Sequence, residues 1–144
     1  MKQIQKLGFT DGSRIVGSPV TKSFQISYAQ LADTPIVLMY AQEGDLILDA
    51  LVEITTKFEG TGPTLDVGDE DTEDGFLADT NISEDTLGWY GADTAVRGAF
   101  LYDGTKKSLR KLYTEKKAIQ VAIGGTDLTA GVANIYITLI RQKP

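Results

Sequence analysis

The chain has 144 residues, 42% hydrophobic and 24% charged, with fourteen Lys and Arg against twenty Asp and Glu and a net charge of −6. That length makes one domain able to bury roughly two-thirds of its unfolded surface, and the acidic balance argues against a partner held through phosphate contacts. Cysteine and histidine are both absent, which excludes disulfides, thiolate metal sites, Cys nucleophiles, every Ser-His pair and the commonest general base.

Residues 1–21 carry Leu7, Phe9, Ile15 and Val16 among Gly, Ser, Thr and charged residues. They are expected to form an N-terminal arm or edge segment, and residues 22–144 the folded domain. The opening MKQIQKLGFTDG has no apolar run of signal-peptide length, and no stretch approaches the roughly 20 apolar residues of a membrane helix. The expectation is synthesis in the cytoplasm and no membrane partner.

Thr21 to Tyr28 alternates, with Phe24, Ile26 and Tyr28 on one parity, and predicts a strand. Ala29 to Thr34 reads as a short connection, and Pro35 opens a strand from Ile36 to Tyr40. Leu46 to Phe58 is the longest alternation in the chain. Its even-numbered residues, Leu46 to Phe58, are expected to line the core. Its odd-numbered face carries Ile47 and Leu51 beside Asp49 and Glu53, more apolar than a solvated face requires. That face is expected to be partly covered, by the 68–95 connection or by a second copy. Glu59-Gly60-Thr61-Gly62-Pro63 reads as a turn, followed by a strand from Thr64 to Val67.

Residues 68–95 read as a long ordered connection, anchored by Phe76, Leu77, Ile82, Leu87, Trp89 and Tyr90, with Ser83-Glu84-Asp85 able to open one helical turn. Strands are expected at Val96–Tyr102, Arg110–Thr114 and Ala118–Ile123, then a turn at Gly124–Asp127 and a last strand from Gly131 to Ile140. Eight or nine strands with turn chemistry between them predict an all-β fold: an antiparallel β-sandwich with jelly-roll or Greek-key connections and a long ordered loop region around 68–95.

Charge is partitioned. Phe58 to Val96 contains no Lys or Arg and eleven acids, whereas six basic residues crowd into Lys106, Lys107, Arg110, Lys111, Lys116 and Lys117. The plain reading is one solvated acidic loop and one solvated basic segment. The functional reading is that the acidic loop of one copy meets the basic segment of a neighbour.

No motif points to catalysis, and no catalytic, cofactor or metal residue is assigned. The acidic loop 66–75 is rich in oxygen ligands, but with the loop begun at Asp69 the position that demands Gly holds Asp74 and the bidentate Glu position holds Thr80. Asp93-Thr94-Ala95 lacks the apolar lead-in of an aspartic-protease signature. Gly104-Thr105-Lys106 lacks the earlier Gly and the helix of a phosphate loop. Trp89-Tyr90 fits a hydrophobic anchor or interface plug, or a platform that stacks on a sugar ring.

Four stretches in order, GDLILDALVEITTKFEGTGPTLDVGD, DGFLADTNI, the hairpin turn before the basic strand, and AIQVAIGGTDLTAGVANIYITLI, resemble the capsid decoration (cement) proteins of tailed bacteriophages. The resemblance spans residues 44–141 and consists of strand and turn patterns, so no functional residue carries over. It implies a jelly-roll-like small virion protein, non-catalytic and needing no cofactor, on the capsid exterior. It implies as partners the major capsid protein and further copies of itself, in a homotrimer, with no nucleic acid. The alternative is a head- or tail-fibre-associated module that binds a host glycan, with Trp89 or Tyr90 exposed.

Overall fold

The computed structural model describes residues 17–81, 87–91, 96–105 and 108–141. Among them are seven strands: β1 (Pro19–Ser27), β2 (Ile36–Ala41), β3 (Asp45–Asp69), β4 (Leu77–Asn81), β5 (Gly88–Tyr90), β6 (Lys111–Leu112) and β7 (Lys117–Arg141). A 3-10 helical segment, Tyr28–Asp33, joins β1 to β2.

The spine is the ribbon of β3 and β7, 25 residues each. They pair antiparallel from Asp45↔Arg141 to Asp69↔Ile119. β1 and β2 add to the other side of β7, and β4, β5 and β6 add to β3. On β7 the odd-numbered residues Ile119, Val121, Ile123, Ala133, Ile135, Ile137 and Leu139 are buried, the period-two burial of a strand with one face on a core.

The ribbon is bent back on itself. A straight strand of 25 residues would set its ends roughly 80 Å apart. Instead one residue, Tyr113, reaches both: its backbone N–H donates to the Asp45 carbonyl at 2.9 Å and its phenol to Asp69 Oδ2 at 2.8 Å. The two halves therefore close over one core, where Val52, Ile54, Ile135 and Ile137 from one half join Leu65, Val67, Ile119 and Val121 from the other. This is the all-β antiparallel sandwich that the sequence predicts.

The bend corrects two expected turns. Gly60–Pro63 does not end a strand; it lies inside β3, and Gly124–Asp127 lies inside β7. The two clusters face each other, with Thr61 opposite Thr126 and Thr64 opposite Gly124. The register slips four times between Ile54 and Thr64, and such bulges bend a strand pair without parting it. Phe58, 1% exposed, seals the bend against Gly131, where an added Cβ would sit 2.3 Å from Phe58 Cγ and where φ is +140°. Only glycine fits both requirements.

The facing of β3 is also corrected. The register advances by two residues on β3 and one on β7 between Ile47↔Leu139 and Asp49↔Thr138, so Leu48 is an extra residue. A one-residue insertion reverses the side-chain parity. Before it the inward residues are Asp45 and Ile47, both fully buried; after it they are Ala50, Val52 and Ile54. Leu46 and Leu48, expected in the core, are half-buried on the outer side. Ile47, expected outside, is core.

Three smaller differences follow the same logic of edge pairing. The 68–95 connection contributes β4 and β5, because Leu77–Asn81 and Gly88–Tyr90 find the free edge of β3. Val96–Tyr102 forms no strand: it makes only isolated bridges at Arg97 and Tyr102, and Leu101, on the unexpected parity, is its buried apolar side chain. Arg110–Thr114 shrinks to Lys111–Leu112. The expected arm up to residue 16, the Ser83-Glu84-Asp85 turn, Asp93-Thr94-Ala95 and Lys106-Lys107 lie outside the described residues. Pro19 to Thr21, the end of the segment expected to be an arm or edge, lie in β1.

Candidate interaction surfaces

The acidic run and the basic segment meet within one chain. Asp69, 2% exposed, accepts the backbone N–H groups of Asp71 at 3.0 Å and Thr72 at 2.8 Å on Oδ1. It takes the Tyr113 phenol on Oδ2. Glu70 Oε1 accepts the Ala118 N–H at 2.8 Å. Lys117 Nζ lies 2.9 Å from Asp71 and 3.2 Å from Glu115. Lys111 Nζ lies 4.3 Å from the centre of the Phe100 ring. Asp69, Asp71, Lys111, Tyr113, Glu115 and Lys117 line a polar cleft of about 200 Å³. The expected meeting of acidic loop and basic segment across two copies is thus answered, for Asp71 and Lys117, by pairing inside the chain.

The titration shifts agree with that pairing. Burial pushes the Tyr113 phenol up, and the hydrogen bond to Asp69 and the charges of Asp69 and Asp71 push it further, so it remains a donor. Lys117 is held protonated by its hydrogen bond to Asp71 and then by the one to Glu115. Among the described residues no three acidic groups converge as a metal site would require. Asp69, Glu70 and Asp71, three of the acids in loop 66–75, face protein donors.

At the far end of β3, Asp45 is fully buried and held by Arg141 through two bonds, Nε to Oδ1 at 2.8 Å and Nη2 to Oδ2 at 2.9 Å. The Gln42 N–H donates to Oδ2 at 2.9 Å. Burial alone would raise this carboxyl, but the hydrogen bonds from Arg141 and Gln42 and the charges of Arg141 and Lys22 outweigh it, and its pKa lies below the usual aspartate value.

The outer face of the sheet is the second surface. β5, β3, β7 and β1 lie side by side, and their registers align Trp89 with Glu53, Glu53 with Asn134, and Asn134 with Gln25 in one row. The neighbouring row is Leu51, Tyr136 and Ser23. Trp89 is 58% exposed and its ring lies 5.0 Å from that of Tyr136 at 38°. Glu53 Oε1 accepts the Tyr136 hydroxyl at 3.1 Å and Asn134 Nδ2 at 3.3 Å. The hydrogen bond to Glu53, then partial desolvation and the Glu53 charge, raise the Tyr136 pKa, so this hydroxyl too stays protonated.

The connection does cover part of this face, as expected. Trp89 lies on Tyr136, and Gly91 packs close to Leu51 Cδ2. Arg97 pins the connection down, donating to the Gly91 carbonyl at 3.1 Å and pairing with Asp49 at 2.9 Å. The cross-strand row itself is not readable from the sequence: Gln25, Glu53, Trp89 and Asn134 are widely spaced, and only the register brings them together.

The third surface is the edge of β1. Its nine residues pair with β7 without a single register shift, and no described strand adds to its other side. Such an edge is a template for another strand.

No family model matches the chain, and no curated protein matches it. Solved structures do. The chain is similar to one in the acidic stable capsid structure of Helicobacter pylori bacteriophage KHP30, at 13% identity over 85% of this chain and 90% of that one, with a TM-score of 0.57. A chain of the cyanophage Pam1 capsid asymmetric unit aligns at 12% identity over 89% of this chain and 86% of that one, with a TM-score of 0.49. The first similarity establishes a shared fold that takes in nearly the whole of both chains.

Proposed function

We propose that this chain is a structural virion protein that binds a bacteriophage capsid shell and stabilises it, without catalysis. The observation that carries the reading is the fold shared, nearly end to end, with a chain of the KHP30 capsid structure. Near-complete coverage of both chains means that the whole sandwich is shared and not a fragment of it. The composition supports the reading: a chain with no His and no Cys offers little to catalysis and much to a stable scaffold.

Its partners in this proposal are the major capsid protein and further copies of itself, on the capsid exterior. Contact runs through the edge of β1 to which no described strand adds, a template for a partner strand, and through the expected arm that precedes it. Copies joined head to tail close into a ring when their rotation closes, as in a trimer. The stabilisation is linkage: a ligand that binds only the assembled shell shifts assembly by mass action.

The test is co-sedimentation of the purified chain with expanded shells, with light scattering for its oligomeric state. Saturable binding and a trimer are expected. A monomer that stays in the supernatant sinks the proposal.

A further inference from the structure

We propose that the outer face of the sheet is a binding site for a neutral oligosaccharide, built on the row Trp89, Glu53, Asn134 and Gln25. The row crosses four adjacent strands, three spacings or about 14 Å, so it suits a short chain of sugar rings rather than one ring. It begins at an exposed aromatic and continues through a carboxylate and two amides, the groups that pair with the apolar face and the hydroxyls of a pyranose.

The site is pre-organised. Trp89 rests on Tyr136, and Tyr136 is in turn fixed by Glu53. A platform already held in place loses little entropy when a ligand stacks on it. Both donors to Glu53 among the described residues use Oε1, which leaves Oε2 without a donor from those residues and suited to ligand hydroxyls. Gln25 is exposed on β1, its amide turned to the same side as the Asn134 with which it is paired.

Charge sets the class of sugar. Between the Leu46–Ile140 row and the Glu53–Asn134 row, the charged residues on this face are Asp49 and Glu53. Both are acidic. Arg97, the cation at its margin, is engaged by Asp49 and only 14% exposed. Lys22 is paired with the inward-facing Ile137 and belongs to the other face. Among the described residues between these rows, none offsets a carboxylate or phosphate on the ligand, so uronic, sialic and phosphorylated sugars are disfavoured.

The chain has a single tryptophan, so its fluorescence reports on the site directly. The intact protein is titrated with cellohexaose, maltohexaose, mannohexaose and chitohexaose, and with hexagalacturonate as the anionic control, each up to roughly 10 mM, the weak end of specific recognition. A saturable change in Trp89 emission with at least one neutral hexasaccharide, and none with the anionic one, is expected. By calorimetry, Trp89→Ala abolishes that binding and Gln25→Ala weakens it at least threefold, with circular dichroism unchanged in both. Three results overturn the proposal: no neutral hexasaccharide binds, the anionic one binds as tightly, or Gln25→Ala and Trp89→Ala leave binding intact. A Trp89 emission shift that follows protein concentration or added shells, with sugars silent, also overturns it and marks the face as a protein contact.

Discussion

The two ends of β3 solve one problem in two ways. Each ends in a buried aspartate, Asp45 fully and Asp69 at 2% exposure, and both contact Tyr113. Asp45 is neutralised by a cation, the forked guanidinium of Arg141. The donors to Asp69 among the described residues are all neutral: two backbone N–H groups and a phenol. Burying a carboxylate is tolerable when its lone pairs are taken, and the comparison shows that dipoles suffice where the loop wraps the oxygen. The difference also separates their tasks. The Arg141 bond ties the first residue of β3 to the last of β7. The Asp69 cluster shapes a turn and, through Tyr113, latches the far end of the ribbon to the near one.

Asp69→Ala is the largest break. It strands a buried phenol and two N–H groups at once, and about 3 kcal/mol or more of stability is expected to be lost, read as a fall in the urea midpoint. Asp45→Asn keeps the volume and loses the charge-assisted pair; a loss of about 2 kcal/mol is expected. It should also change the pH dependence. The folded pKa of Asp45 is depressed, so its contribution is fully present above the unfolded value near 3.8 and is lost as pH falls through the folded value. The stability gap between wild type and Asp45→Asn is therefore expected to narrow below about pH 4. A gap that stays constant down to pH 2.5 assigns the effect to packing. Tyr113→Phe leaves the Asp45 backbone bond in place and removes only the Asp69 contact. A loss of about 1 to 2 kcal/mol is expected, and a loss as large as that of Asp69→Ala would make the phenol, not the loop, the main support of Asp69.

The sequence shows the class of fold plainly, because period-two alternation from Leu46 onward and from Gly131 to Ile140 reports directly on half-buried strands. It hides the ribbon. Gly60–Pro63 and Gly124–Asp127 carry the residues of turns, and the same backbone freedom serves a bend in which two strands stay paired. Whether a glycine cluster ends a strand or bends it depends on a partner some 60 residues away (Thr61 on Thr126), and local sequence holds no record of that. The parity switch at Leu48 is hidden for a related reason. Leu46 and Leu48 are as apolar as Ile47, so composition cannot say which side is inward, and the bulge is fixed by the match to Leu139 and Thr138. Trp89 was legible as an aromatic that anchors or stacks. Its placement beside Glu53, Asn134 and Gln25 was not, since those residues sit on three other strands.

Thr80 supplies the case that neither aspartate offers, a buried polar group with no partner among the described residues. It lies on β4 opposite Leu65, is fully buried, and its hydroxyl has no hydrogen-bond partner among the described residues. If the aspartates are tolerated because their oxygens are satisfied, and not because this core is forgiving of polarity, then Thr80 must be costing stability. Thr80→Val keeps the branched shape that suits a strand and removes the unpaired hydroxyl. A gain of about 1 kcal/mol is expected, the smallest change in the series and opposite in sign to the others. The urea midpoint should rise with an unchanged slope, since the same surface is exposed on unfolding. A destabilised Thr80→Val would mean that the hydroxyl has found a partner, and the contrast drawn between satisfied and unsatisfied polar groups in this core would then rest on Asp45 and Asp69 alone.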